Sequence, residues 1–520
     1  MTGLAVLAPL SWEARALRRG LSPGTTLVHT GMGPARSNRA DVPGAAAAVA
    51  VAGVCGALDP TLRAGEIVVA TELHDPDGGV IPLPAAGPVA AALIAIGLEA
   101  RLGPIASVPR LFRGVDRPAL VASGAIAVDM ESAWLARRVG DRPLAVVRVV
   151  ADGPGRDLLR NPIAAAKAGR LALRVLRRIG PALESWAAAA GPHRIVLASP
   201  RSFCAGVERA IEIVERALDR HGPPVYVRKQ IVHNAHVVDD LERRGAVFVD
   251  SLDDVPSGEL VVFSAHGVSP AVREEAAARG LRVIDATCPL VTKVHAEARR
   301  FARDGFRIVL VGHRGHEEVE GTSGEAPDAI RLVERPEDLR ALDLDGAPVA
   351  YLTQTTLAVD EVQGVVSALH ELRPDVSGPG SDDICYATTN RQAAVRAISC
   401  EVDAFLVIGS KNSSNSRRLV EVAGRAGCVA HLIDDETELD PSWLAGARSI
   451  GLTAGASAPE ALVDRVLAAI GGLGPVDVEE RTVVEEAVRF TIPAELRTAT
   501  IDAGGRTPGM NVRTPATRRR

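Results

Sequence analysis

The chain has 520 residues, with 59 Lys and Arg against 64 Asp and Glu for a net charge of -5, 47% hydrophobic and only 3% aromatic residues. That length exceeds the ~250–300 residues at which a single core stops growing, so at least two domains are expected. The balanced charge provides no basic field for nucleic acid or an anionic membrane, and no stretch reaches the ~18 uncharged apolar residues of a membrane-crossing helix.

The first predicted elements are apolar runs that read as strands buried on both faces, separated by helical patterns: LAVLAP from Leu4, TLVHTGMG from Thr26, AVAGVCGAL from Ala50, EIVVATEL from Glu66 and LAVVRVVAD from Leu144. The opening residues lack a basic segment before their apolar run and reach Glu13 too early for a secretory leader, so a cytoplasmic location is expected. A break falls near 179–193, where Gly180, Pro181, Gly191 and Pro192 punctuate an alanine-rich stretch. These signals predict a domain over 1–180, a linker over 181–192 with helical spacer character, a second domain over 193–496, and a disordered tail over 497–520 that is rich in Pro, Gly, Thr and Arg.

Beyond the break, strands are predicted at HRIVLASP, ELVVFSAHG, RIVLVGH, PVAYLTQT, AFLVIGS and SIGLTAG, each running into a polar or glycine-rich turn. In parallel α/β sheets such turns gather at the C-terminal edge, where ligands bind. Three of the six cysteines lie in these polar segments: Cys204 in PRSFCAG, Cys288 in ATCPLVTK and Cys385 in DDICYATTNRQ. They are too far apart in sequence for a local metal loop, and by spacing alone they are either ligands drawn from separate strand–helix units or buried small apolar residues. A structural zinc site is disfavoured because paired spacing and a fourth ligand are missing. Cys55, Cys400 and Cys428 lie outside these segments and read as packing residues.

Over His193–Leu496, the motifs PRSFCAGVERAI, IVHN, FSAHGVS, DATCPLVTKVH, GHRGHEEVEGT, TQTTL, DDICYATTNRQ, GSKNSSNS and TAGASAP occur in the order seen in 4-hydroxy-3-methylbut-2-enyl diphosphate reductases. That resemblance implies a three-lobed α/β reductase around a central [4Fe-4S] cluster held by Cys204, Cys288 and Cys385, with one iron free of protein ligands. It implies reductive removal of an allylic hydroxyl, with isopentenyl and dimethylallyl diphosphate as products. His233, His266, His316, Ser413, Ser414, Asn415 and Ser457 would hold the diphosphate, Glu318 would donate a proton, and Thr355 would contact substrate and help relay it. Glu317 and Glu320, flanking Glu318, are expected to be solvated or structural. No dinucleotide fingerprint is present, so an electron donor such as ferredoxin or flavodoxin is expected. A non-catalytic iron–sulfur sensor is the alternative.

Residues 1–180 resemble nucleoside phosphorylases and nucleosidases through LAVLAPLSWEARAL, HTGMGPARSN, VAGVCGALDPTLRAGEIVVATEL, AVDMESAWLA and VVRVVADGPG. The resemblance implies a nucleoside-phosphorylase-like α/β domain in which Glu131 accepts ribose hydroxyls, Met130 packs on the sugar, Asp152 protonates a departing purine and Glu13 activates water. Gly31 and Gly33 either cradle phosphate or make a turn. Without the resemblance, Asp152 reads as a turn former and Glu131 as a helix-start carboxylate. Ala151 stands where related nucleosidases carry a hydroxyl, so an inactive binding or regulatory module is the alternative.

Overall fold

The computed structural model describes residues 3–110, 117–152, 162–344 and 346–497. The predicted tail lies outside the described residues except for Arg497. Four sheets organise the described chain, all faced by helices, in keeping with the α/β expectation.

The first sheet takes the N-terminal strands Leu4–Ala8, Thr26–His29, Ala48–Ala57, Ile67–His74, Val80–Pro82, Ala100–Ser107, Ala127–Asp129 and Leu144–Asp152. Leu144–Asp152 pairs with both Ala48–Ala57 and Ile67–His74, which closes five of these strands into a ring. Their apolar runs, such as Leu4–Ala8 with every residue buried, have no solvent face because helices and the ring interior cover both sides.

The other three sheets are wholly parallel and form three lobes. One lobe holds Val225–Arg228, Ala246–Val249, Leu260–Phe263 and Arg282–Asp285; the second holds Arg307–Val311, Ile330–Val333 and Val349–Thr353. The third combines His193–Ser199 with Ala404–Ile408, Ala430–Ile433, Ser449–Ala454 and Val476–Thr482, so the chain leaves this lobe, builds the other two and returns. Most of the polar turns, those at Ser202, Ser264, Thr287, His313, Gln354, Ser410 and Gly455 among them, therefore follow strand C-termini.

The segment predicted as a linker is instead part of the interior. Gly180–Ala188 is a helix whose Ala182, Leu183 and Trp186 are completely buried. Leu183, Trp186 and Ala187 recur at helical spacing and give it an apolar face, which packs against Ala86–Ala95 of the N-terminal part and the turn Pro441–Leu444 of the third lobe. Its N-terminus passes so close to another turn that a Cβ on Gly180 would lie 2.3 Å from the carbonyl oxygen of Gly20. Ala86–Ala95 is itself buried along nearly its whole length. One hydrophobic core thus runs from Leu4, Val6 and Leu93 through Trp186 to Ile195, Leu452 and Val466. No helix among the described residues is long and apolar enough to cross a membrane.

Candidate active site

Cys204, Cys288 and Cys385 each occupy the position immediately before a helix: Ala205–His221, Pro289–Arg303 and Tyr386–Ser399. Three helix N-termini, each carrying partial positive charge and amides with no partner inside the helix, thus meet at three sulfurs. The Cys385 sulfur accepts from the Thr388 amide at 3.3 Å. Cys385 departs from the expected strand–helix origin: it follows the helix Val359–Leu372 and a loop, and its own amide is pinned to the Thr355 carbonyl at 3.0 Å. A Cβ on Gly206 would stand 2.7 Å from the sulfur of Cys288 and 3.8 Å from that of Cys204, so only glycine leaves room between these thiols.

All six cysteines are free thiols. Burial pushes Cys288 up to about 12, with the neighbouring Cys204 and Cys385 adding to the rise; burial and then Cys204 push Cys385 up to about 11. Three soft donors crowded in a buried cavity at three helix N-termini fit an iron–sulfur cluster, whose irons would hold the sulfurs as thiolates and remove their mutual repulsion.

The same cavity, about 100 Å³, is lined by His233, His266, His316, Glu318, Thr355 and the Ser413–Asn415 turn as well as the thiols. His233 and His266 stack with ring centroids 4.2 Å apart, and His316 meets them edge-on at 5.7 and 5.9 Å. Burial, reinforced by His266, lowers both His233 and His316 to about 3. That favours the neutral form of His233 and His316, and an arriving anion would favour their protonation. Nδ1 of His316 accepts from the Glu318 amide at 3.2 Å, which leaves Nε2 to face a ligand.

Ser457 donates to the His233 carbonyl at 3.0 Å, and the Ser413 hydroxyl accepts from the Ser416 amide at 3.3 Å. Ser414 accepts from Gln354 at 3.3 Å. Asn415 is 5% exposed, yet both polar atoms of its amide are buried without a hydrogen-bond partner. Leaving such a group unsatisfied costs ~1–3 kcal/mol, which a ligand in the cavity would recover.

Glu318 is almost fully buried, and burial pushes it up to about 7 against the opposing hydrogen bond from the Thr355 amide. Its two oxygens accept from the Thr355 amide at 2.7 Å and the Thr355 hydroxyl at 3.1 Å. Near neutrality it can therefore carry a proton into the cavity.

Glu320 is exposed, but Glu317 is more than a flank: His266 reaches its carboxylate at 3.1 Å. Burial acts to raise Glu317, yet the His266 hydrogen bond and charge outweigh it and hold it below the usual range. Potential ligand atoms of His233, His266 and Glu317 lie within 4.8 Å of one another, a spacing compatible with a cation. Gln354 and Phe490 also belong to this site. Gln354 joins the His313 amide to Ser414, and its place inside TQTT was the available signal; Phe490 lines the cavity from outside every recognised motif.

In the N-terminal part the structure gathers Glu13 and Glu131 around Arg148, a fully buried cation not singled out in the sequence reading. Its signal was a charge within the apolar strand Leu144–Asp152. Arg148 pairs with Asp129 at 2.8 Å and approaches Glu131 at 3.7 Å. Glu131 also accepts from Gly33 at 3.1 Å and from the Met130 amide at 3.3 Å, so the glycine turn is tied to the expected ribose acceptor. Glu13 accepts from the amides of Leu10 and Val54 at 2.8 and 2.7 Å, and burial pushes it up to about 7 against the charge of Arg148. Asp152 ends its strand opposite Gly56, after a bulge in which Ala151 is the extra residue.

Parallel lobes around three thiols at helix N-termini and an imidazole-lined cavity define an α/β site with the donor set of a metalloenzyme. The chain belongs to the LytB protein family, whose model matches residues 195–471. It is 58% identical over 311 residues to 4-hydroxy-3-methylbut-2-enyl diphosphate reductase of Rhodococcus jostii (strain RHA1), covering 59% of this chain and 93% of that protein. Among solved structures it is similar to the E-1-hydroxy-2-methyl-but-2-enyl-4-diphosphate reductase from Plasmodium falciparum, at 37% identity and a TM-score of 0.57, over 59% of this chain and 97% of that one. The N-terminal region has a weaker likeness, at 20% identity and a TM-score of 0.31, to 5'-methylthioadenosine/S-adenosylhomocysteine nucleosidase from Neisseria meningitidis, over 35% of this chain and 98% of that one.

Proposed function

We propose that the chain is a 4-hydroxy-3-methylbut-2-enyl diphosphate reductase that yields isopentenyl and dimethylallyl diphosphate. The observation that carries this reading is the single cavity in which the unpartnered Asn415 amide, the three imidazoles and the protonatable Glu318 face the three thiols. Cys204, Cys288 and Cys385 would hold a [4Fe-4S] cluster, which supplies electrons and Lewis acidity when bound.

His233, His266 and His316, with Ser413, Ser414, Asn415 and Ser457, bind the diphosphate and orient the allylic end toward the thiols. Glu318 gives its proton to the departing hydroxyl, and the Thr355 hydroxyl steadies the carboxylate left behind. The overall change adds two electrons and two protons and releases water. Electrons come from a donor of the ferredoxin or flavodoxin kind. Anaerobic reconstitution with iron and sulfide, followed by chromatography of products from the hydroxylated diphosphate, tests the reading. Both products should form with the native chain and neither with Glu318→Gln; normal turnover by that variant would overturn the role of Glu318.

For the N-terminal part, Glu13 at about 7 beside Arg148, with Glu131 hydrogen-bonded to the glycine turn, supports cleavage of a purine nucleoside. Incubating the full chain with purine nucleosides, with and without phosphate, separates hydrolysis from phosphorolysis by the sugar product. If no base is released under either condition, the part is an inactive binding module.

A further inference from the structure

Beyond the last strand, Val476–Thr482, the chain continues past the family-matched segment as a strap over 483–497 that ends in a short helical turn, Ala494–Leu496. Most of its residues as far as Arg489 are exposed, whereas Glu486 and Phe490 turn inward. The strap leaves the third lobe where the Val483 amide donates to the Ser199 carbonyl at 3.0 Å, and it ends with Leu496 buried in the core of the first lobe.

Between these ends it is fastened to segments bearing all three thiols. Glu486 accepts from Arg391 at 3.1 and 3.3 Å and from Asn390 at 3.0 Å, both on the helix that Cys385 begins. Arg391 is completely buried and also donates to the Ser202 and Phe203 carbonyls just before Cys204, so Glu486 supplies the counter-charge that such a cation needs. On the helix that Cys204 begins, Arg209 donates to the Thr491 carbonyl at 2.9 Å and to the Ala286 and Thr287 carbonyls, which precede Cys288, at 3.2 and 3.1 Å. Phe490 sits between the Glu486 and Thr491 fastenings and lines the cavity with the thiols.

We propose that 483–497 seals the thiol end of the cavity, with Phe490 as the plug that excludes water and solutes from Cys204, Cys288 and Cys385. The seal goes beyond the reaction proposed above, since it concerns access to the sulfurs whatever they carry. An aromatic ring covers a large area at little conformational cost, and two fastenings beside it hold the ring in place.

Alkylation of the metal-free full chain tests this. Under anaerobic reducing conditions, iodoacetamide labelling of each cysteine is followed by peptide mass spectrometry, with exposed Cys400 as the reactive reference and buried Cys55 and Cys428 as reporters of global unfolding. Phe490→Ala should speed labelling of Cys204, Cys288 and Cys385 roughly tenfold or more relative to Cys400, while Cys55 and Cys428 stay slow. Phe490→Leu, which keeps a large apolar side chain, should restore most of the protection. Unchanged labelling in Phe490→Ala overturns the proposal. If that variant also exposes Cys55 and Cys428, Phe490→Leu decides: a smaller acceleration confined to the three thiols supports the seal, and none, or one spread over all the cysteines, overturns it.

Discussion

Thr355 offers both its backbone amide and its hydroxyl to the two oxygens of Glu318, at 2.7 and 3.1 Å, in a buried setting. Thr355→Val keeps the amide and the shape but removes the hydroxyl. Loss of one buried hydrogen bond of about 1 kcal/mol should lower turnover several-fold while substrate binding changes little. Steady-state kinetics on reconstituted protein measures this, and an altered KM with constant kcat would contradict it.

Asn415 makes no hydrogen bond through its side chain, so replacing it by the similarly sized Leu removes nothing from the fold. The melting temperature should hold or rise, while affinity for the diphosphate falls by about 1–3 kcal/mol, or roughly 5- to 150-fold. Calorimetric titration combined with thermal melts checks both halves of this prediction. A fall in stability with affinity intact would mean that the amide serves the fold.

Gly206→Ala should spare the helix, where alanine is favoured, but crowd the Cys288 sulfur. Iron and sulfide per chain after reconstitution should fall well below the native value, with circular dichroism unchanged.

Glu13 and Glu318 are each pushed up from 4.5 to about 7, so the folded chain binds protons there more tightly than the unfolded chain. Their contribution to stability is complete below 4.5 and is lost as pH rises through about 7. His233 and His316, lowered from 6.5 to about 3, act in the opposite sense: stability falls as pH drops below 6.5. Glu13→Gln should therefore improve stability at pH ~8 relative to pH ~5 compared with the native chain, at about 1.4 kcal/mol per unit of lost shift. Chemical denaturation at the two pH values provides the comparison.

Trp186 belongs to the core shared by the N-terminal part and the third lobe. Trp186→Ala should cost about 3–5 kcal/mol, and calorimetry of both native and variant chains should show one transition instead of two. Separate transitions for the two parts would show that the shared core does not couple them.

Much of the reductase site was legible in the sequence because its motifs stand in a recognisable order and most of its polar residues, Cys385 excepted, sit in short turns after apolar strands. In parallel sheets, strand direction alone brings such turns to one edge. The resemblance carried by nine motifs in order is what named the three cysteines, the three histidines, Glu318 and the Ser413–Asn415 turn, and they line one cavity. Their protonation was less accessible: burial decides whether Glu318 holds a proton, and burial depends on neighbours from other lobes.

The linker shows the opposite case. Gly, Pro and Ala around residue 185 read as a spacer by composition, yet Trp186 and Leu183 are buried once Ala86–Ala95 and Pro441–Leu444 arrive from distant parts of the chain. Arg148 was visible as a charge in an apolar strand, but only the fold supplied Asp129 and Glu131 to pair with it. Glu486 and Phe490 carried no local signal at all. By itself the sequence determined the strands and most of their turns, since these depend on local pattern and residue type, while the roles of the turn residues rested on the family resemblance. Tertiary structure alone decided that the two parts share a core and that the segment 483–497 is fastened to the helices bearing the thiols, because both rest on contacts between residues far apart in the chain.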